Sequence, residues 1–192
     1  MEKQSYYENL IKVVIEASVA DTWELAVLEW EIYDCEEDEN LSSRCVCKHE
    51  GLRYLYTIRN VKNGNKLFPI GSTCIKKFER KDLNEEISIM EQMFNLLHAV
   101  EKHEWIELSS NYFSRKLLYA LYEKVVFKPN EYNNFNGYND YDFLLEMFNK
   151  INKADITEPQ HKKIRALIMK SILPYLKETL TIRSKNNTNN KI

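Results

Sequence analysis

The chain has 192 residues, with 27 Lys plus Arg against 29 Asp plus Glu and a net charge near −2. It is long enough to bury a core without cross-links, and it lacks the basic excess that general affinity for a phosphate backbone requires. No apolar run approaches the roughly 18 residues of a membrane span, and the opening MEKQSYYENLIKVV has neither the basic start nor the apolar run of a signal peptide, so a cytosolic protein is expected.

Taken in chain order, residues 1–30 read as two short helices. Tyr7, Leu10, Ile11, Val14 and Ile15 recur at helical spacing, and Asp21 with Glu24 predicts a capped restart. EWEIYD alternates like a strand, and the acidic run Glu36, Glu37, Asp38 and Glu39 predicts its end in a solvated loop. Leu52, Tyr54, Tyr56 and Ile58 share one face of a second strand, and Asn63-Gly64 predicts a two-residue hairpin turn into KLFPI. Pro69 suits an edge position or the strand's exit, and GSTCIKKFER turns into a short helix.

From residue 82 the pattern is helical. Asp82 is the expected cap of a helix whose apolar face carries Leu83, Ile87, Met90, Phe94 and Leu97. Ser114 precedes a helix over SRKLLYALYEKV, KPNEYNNFNGYND reads as a turn-rich loop, and YDFLLEMFNKIN as a further helix. The last helix opens with Thr157, Pro159 and Gln160 as a capping box and buries Ile164, Leu167, Ile168, Ile172 and Leu176, with Pro174 bending it. The polar RSKNNTNNKI is expected to be disordered.

Three of the four cysteines fall between residues 43 and 78. In a reducing compartment, cysteines this close are more often metal ligands or packing than disulfides. Cys45-x-Cys47, a hairpin, and Gly71-Ser72-x-Cys74 at a helix start resemble a treble-clef zinc site. Zinc takes four ligands in a tetrahedron, and these three thiolates could supply three of them. Cys35 would complete a closed four-cysteine, structural site. His49 competes, although three ligands from one Cys-x-Cys-x-His turn would be crowded, and Ser72 is a poor third choice.

Enzyme motifs are missing. There is no Gly-rich phosphate loop, Gly-x-Ser-x-Gly elbow or His-Glu-x-x-His helix, and only four glycines in all. His98, His103 and His161 read as surface or packing residues, so a non-enzymatic protein is expected.

The stretch TWELAVLEWEIYDCEEDENLSSRCVCKHEGLRYLYTIRN with LFPIGSTCIKKF resembles small zinc-binding accessory proteins of phages and mobile elements of Gram-positive bacteria. FSRKLLYALYE, YNDYDFLLEMFNK and HKKIRALIMKSILPYL fit the same group, which includes type II-A anti-CRISPR inhibitors of Cas9. The resemblance implies zinc on Cys45, Cys47, Cys74 and, less firmly, Cys35, with Lys48-His49 departing from the usual small residue after the knuckle. It implies no catalytic residue. Cas9 holds its guide and target strands in basic channels, which an acidic surface of Asp34, Glu36, Glu37, Asp38 and Glu39 could occupy.

The alternative is direct nucleic-acid binding, through Arg44, Lys48, Arg53, Arg59, Lys62, Lys66, Lys76 and Lys77 with Tyr54 and Tyr56 for stacking. The expected architecture is α+β. Residues 1–80 would form N-terminal helices and a zinc-stabilised hairpin subdomain, 81–182 a helical domain, and 183–192 a tail.

Overall fold

The structure is a computed structural model, and it describes residues 2–183. It is α+β, with a small sheet in the N-terminal part and helices in the C-terminal part, as the patterns predict. The chain divides into two compact units: one runs to Ser88 and also takes in strand 181–183, and the other is Ile89–Leu180. No helix among the described residues is long and apolar enough to cross a membrane.

In the first unit, α1 (Glu2–Ala17) is followed by a single turn, α2 (Trp23–Ala26). Thr22, not Asp21, occupies the cap position of α2. A four-stranded sheet follows, in the order β5 (Lys66–Ile70), β4 (Tyr54–Asn60), β1 (Trp30–Asp38), β6 (Thr181–Arg183). β1 and β4 are antiparallel from Trp30 opposite Asn60 to Glu37 opposite Tyr54, with an irregularity between Ile32 and Asp34. β6 pairs parallel to the end of β1, placing Glu36 opposite Thr181 and Asp38 opposite Arg183. A separate ribbon joins β2 (Ser43–Arg44) to β3 (Glu50–Leu52).

The β4–β5 hairpin forms where Asn63-Gly64 predicts it, but its connection spans residues 61–65 rather than two. Only Gly64 has positive φ there (+77°), and Asn63 turns outward to donate to the Ala17 carbonyl. Pro69 lies in β5, an edge strand, where a missing N–H leaves no ladder bond unmade; its peptide bond with Phe68 is cis. The core of this unit includes Leu10, Trp30, Leu55, Ile58, Ile70 and Ile87, all essentially inaccessible to solvent.

Helix α3 (Ser72–Lys76) follows β5, and α4 (Lys81–Glu101) begins in the first unit and ends in the second. Asp82 falls inside the first turn of α4, ion-paired with Arg80. Leu83, Ile87, Phe94 and Leu97 are buried along it as the periodicity predicts, whereas Met90 stays half-buried.

In the second unit, α5 (Arg115–Glu123) is capped by Ser114, whose Oγ accepts from the Leu117 N–H at 3.1 Å. The asparagine-rich stretch is a short 3₁₀ turn, Glu131–Asn133, and α6 (Gly137–Asn149) starts four residues earlier than the pattern predicts, capped by Asn136. A Cβ on Gly137 would stand 2.0 Å from the Phe127 carbonyl oxygen, so the glycine at this helix start answers a close backbone approach. α7 (Glu158–Leu167) opens on the predicted capping box of Thr157 and Gln160. It continues as a π-helical turn, Ile168–Ile172, into α8 (Leu173–Thr179). Pro174 brings no N–H and a ring that crowds the preceding turn, and the wider π turn accommodates both. Arg183 belongs to β6, and the remainder of the expected tail, 184–192, lies outside the described residues.

Candidate metal centre

The sequence places cysteines at three points that the fold draws together. Cys45 and Cys47 sit on the tight turn between β2 and β3, and Cys74 in the first turn of α3. The turn closes because the Cys45 N–H donates to the His49 carbonyl (2.8 Å) and the Lys48 N–H to the Cys45 carbonyl (2.7 Å). Lys48 has φ of +78°, doing what the small residue of a zinc knuckle ordinarily does. The Val46 N–H donates to the Pro69 carbonyl at 2.9 Å, tying the turn to β5, whose end leads directly into α3.

The three Sγ atoms all lie within 4.8 Å of one another, with Cys74 3.4 Å from Cys47 and 3.7 Å from Cys45. These separations exceed the roughly 2.05 Å of a disulfide, and all the cysteines are free thiols. They approach the edge of about 3.8 Å that a tetrahedron of Zn–S bonds near 2.3 Å requires. All three side chains are buried. The Gly71 N–H points at Cys45 Sγ from 3.5 Å, a donor placed for a thiolate.

The electrostatics match. The Cys45 thiol is drawn down to about 5, first by its hydrogen bond with Cys74, against the opposing effect of burial, with backbone donors assisting. Cys74 is pushed up, first by the same hydrogen bond and then by burial, and Cys47 is pushed up mainly by burial. Three buried thiols crowded this closely suit a divalent cation favouring soft sulfur ligands, which would bind all three as thiolates.

Comparison of the chain with protein-family models, with curated proteins and with solved structures finds no match.

Cys35 does not join the trio. It lies in β1, paired with Tyr56, which in turn pairs with Ile70 of β5. Two strand spacings therefore put about 10 Å of sheet between Cys35 and the strand that ends at the centre. Its buried side chain is a small apolar filler in β1, 2% exposed. His49 is also outside the trio: its ring is exposed and meets Tyr6 edge-on at 5.4 Å between centroids. No His, Asp or Glu joins the sulfur group among the described residues.

The acidic run is not a solvated loop. β1 continues through Asp38 because β4 pairs with it as far as Glu37 on one side and β6 pairs along its end on the other. Glu37 is fully buried and paired with Arg53 at 2.7 Å. Asp38, also buried, accepts from the N–H groups of Asn40, Ser42 and Ser43 and from both serine hydroxyls, at 2.7–3.1 Å. That network builds the turn into β2, and its donors hold the Asp38 carboxyl below the usual range although burial pushes the other way. Asp34 and Glu39 are exposed, and Glu36 is partly covered and paired with Arg183.

Most of the basic residues near the centre are engaged as well. Arg44 pairs with Glu50, Arg53 with Glu37, Arg59 with Glu31 and Lys62 with Glu29. Lys66 lies over the Tyr33 ring and Lys77 over Tyr7. Tyr56 is fully buried and unavailable for stacking on a base.

Proposed function

We propose that this chain is a non-enzymatic binding protein whose N-terminal unit is held in shape by one structural zinc ion on Cys45, Cys47 and Cys74. The supporting observation is the convergence of three buried sulfurs within 4.8 Å, at separations a zinc tetrahedron uses. The ion would tie the β2–β3 turn to α3, parts of the chain that the Val46–Pro69 hydrogen bond and the β4–β5 hairpin also connect. Three protein ligands leave a fourth position for water, but among the described residues no carboxylate or histidine joins the sulfurs to act as a base there, which favours structure over catalysis.

The partner proposed is Cas9, in a bacterial cytosol, on the strength of the sequence resemblance. The acidic contacts are then Asp34, Glu36 and Glu39, the members of the run that reach the surface. The engaged cations around the centre disfavour direct nucleic-acid binding.

Native mass spectrometry with and without chelator tests the metal. One zinc per chain, retained in Cys35→Ser and lost in Cys74→Ser, is expected; zinc absent from the purified wild type would overturn it. A Cas9 pull-down with wild type and an Asp34→Asn/Glu39→Gln variant tests the partner. Capture of Cas9, weakened in the variant, is expected, and no capture by metal-loaded protein would remove Cas9.

A further inference from the structure

Four tyrosines gather on the second unit. Tyr119 and Tyr122 are three apart on α5, Tyr138 and Tyr141 three apart on α6, and this spacing puts each pair on one helix face. Tyr122 stacks on Tyr141 at 5.1 Å between centroids and 23° between planes. Tyr119 meets Tyr141 at 6.0 Å, and Tyr138 meets both Tyr122 and Tyr141 at 5.8 Å. The outer two rings are open to solvent, Tyr119 48% and Tyr138 45% exposed.

Several accessible rings elsewhere carry a cation, although among the described residues the more exposed Tyr132 and Phe135 do not. Arg59 and Lys66 lie over Tyr33, Lys77 over Tyr7, Arg183 over Phe68 and Arg165 over Trp105. On α6 itself Lys163 covers Phe143, and Lys153 covers Phe148. Among the described residues no cation lies over any of the four tyrosines; Arg115, at the start of α5, donates to Asn149 instead. Two acidic groups adjoin the rings: Glu123 accepts from the Tyr119 hydroxyl at 2.8 Å, and Asp142 adjoins Tyr141, while Lys116 lies one turn before Tyr119 on α5. The hydrogen bond to Glu123 pushes the Tyr119 hydroxyl up, and burial, then Tyr138 and Asp142, do the same for Tyr141. Aromatic faces with acidic neighbours form a surface complementary to positive charge.

We propose that Tyr119, Tyr122, Tyr138 and Tyr141 form a docking surface for an arginine- or lysine-bearing segment of a basic protein partner. Its side chains would stack on the open faces of Tyr119 and Tyr138, with Glu123 and Asp142 taking the charge. This surface requires neither the zinc nor Cas9 as partner.

Fluorescence anisotropy on the full chain tests it, using labelled peptides of alternating Arg and Gly, of alternating Glu and Gly, and an oligo-dT of equal length. The Arg peptide should bind and the Glu peptide should not. Tyr119→Leu/Tyr138→Leu should weaken the Arg peptide about 5-fold or more, while Tyr119→Phe/Tyr138→Phe, which keeps the rings, stays within about 2-fold of wild type. Both substituted positions are nearly half exposed, and the Phe variant controls for folding. Equal affinity in the Leu and Phe variants, no Arg-peptide binding by wild type, or binding of oligo-dT alone would each overturn the proposal, the last in favour of base stacking.

Discussion

Cys74, in the first turn of a five-residue helix, brings its Sγ within 3.4 Å of Cys47 Sγ, 27 residues earlier in the chain. A helix of one turn has little stability of its own, so it is held at both ends by tertiary contacts. Ile75 and Phe78 supply apolar anchoring, and Phe78 meets Trp23 edge-on at 5.4 Å. The sulfur contact supplies the rest.

On the proposed assignment, losing the metal should loosen this corner without unfolding the core. Cys74→Ser, or chelation of the wild type, should cost about 3 kcal/mol, or about 10 °C at the 2–4 °C per kcal/mol typical of chains this long. Cys35→Ser should keep the metal. Differential scanning calorimetry with and without zinc checks both, and a melting temperature indifferent to chelator would contradict the assignment.

Asp38 acts on the centre through the turn it organises, not by touching a ligand. Asp38→Ala leaves three N–H groups and two hydroxyls without their shared acceptor and should cost about 2–3 kcal/mol. Chelator should also strip metal from it faster than from wild type, as a colorimetric zinc release assay would show. Asp34→Asn, at an exposed site, should change stability by no more than about 0.5 kcal/mol.

Three of the four cysteines were legible as a cluster because Cys45, Cys47 and Cys74 bracket a hairpin, and hairpins bring their flanks together by construction. Cys35 misled for the same reason that made it attractive. Nearness in sequence to Cys45 says nothing about distance once an acidic stretch becomes strand, and that change comes from pairing with β4 on one side and, on the other, with β6, whose Thr181–Arg183 arrives from far along the chain. Charge runs read as solvated because an unpaired carboxylate belongs in water; Glu37 is buried because the distant Arg53 satisfies it, a partner no local pattern announces, whereas Asp38 is satisfied by its near neighbours Asn40, Ser42 and Ser43, a local turn signal hidden within the charge run. The capping signals at Ser114 and Thr157 were readable because a cap is a bond between near neighbours.

Gly137 illustrates what close approach demands. In Gly137→Ala the new Cβ would meet the Phe127 carbonyl oxygen at 2.0 Å, and that oxygen is backbone that cannot rotate away. The start of α6 or the segment before it must shift, at about 2–3 kcal/mol. Urea denaturation should give a lower midpoint with the slope unchanged, whereas an unaltered midpoint would mean that the two segments separate at little cost.

The acid limb of stability should report on Glu29. This fully buried carboxylate accepts from the Val19 and Ala20 N–H groups at 2.7 and 2.9 Å and from Asn60 Nδ2 at 2.7 Å, and it pairs with Lys62 at 3.1 Å. Burial raises its pKa, but these donors together outweigh burial and hold it at about 2, against an ordinary value of 4.5. The folded state thus binds the proton less readily than the unfolded chain. The stabilisation is complete above about 4.5 and is lost progressively as pH falls toward about 2. Glu29→Gln keeps the shape and removes the charge, so it should be less stable than wild type at pH 7. The difference should narrow as both are brought from pH 5 to pH 2.5, in the window those two values define. Urea midpoints measured across that range decide it: a gap between the two proteins that stays constant with pH would show that Glu29 is not held ionised by these donors.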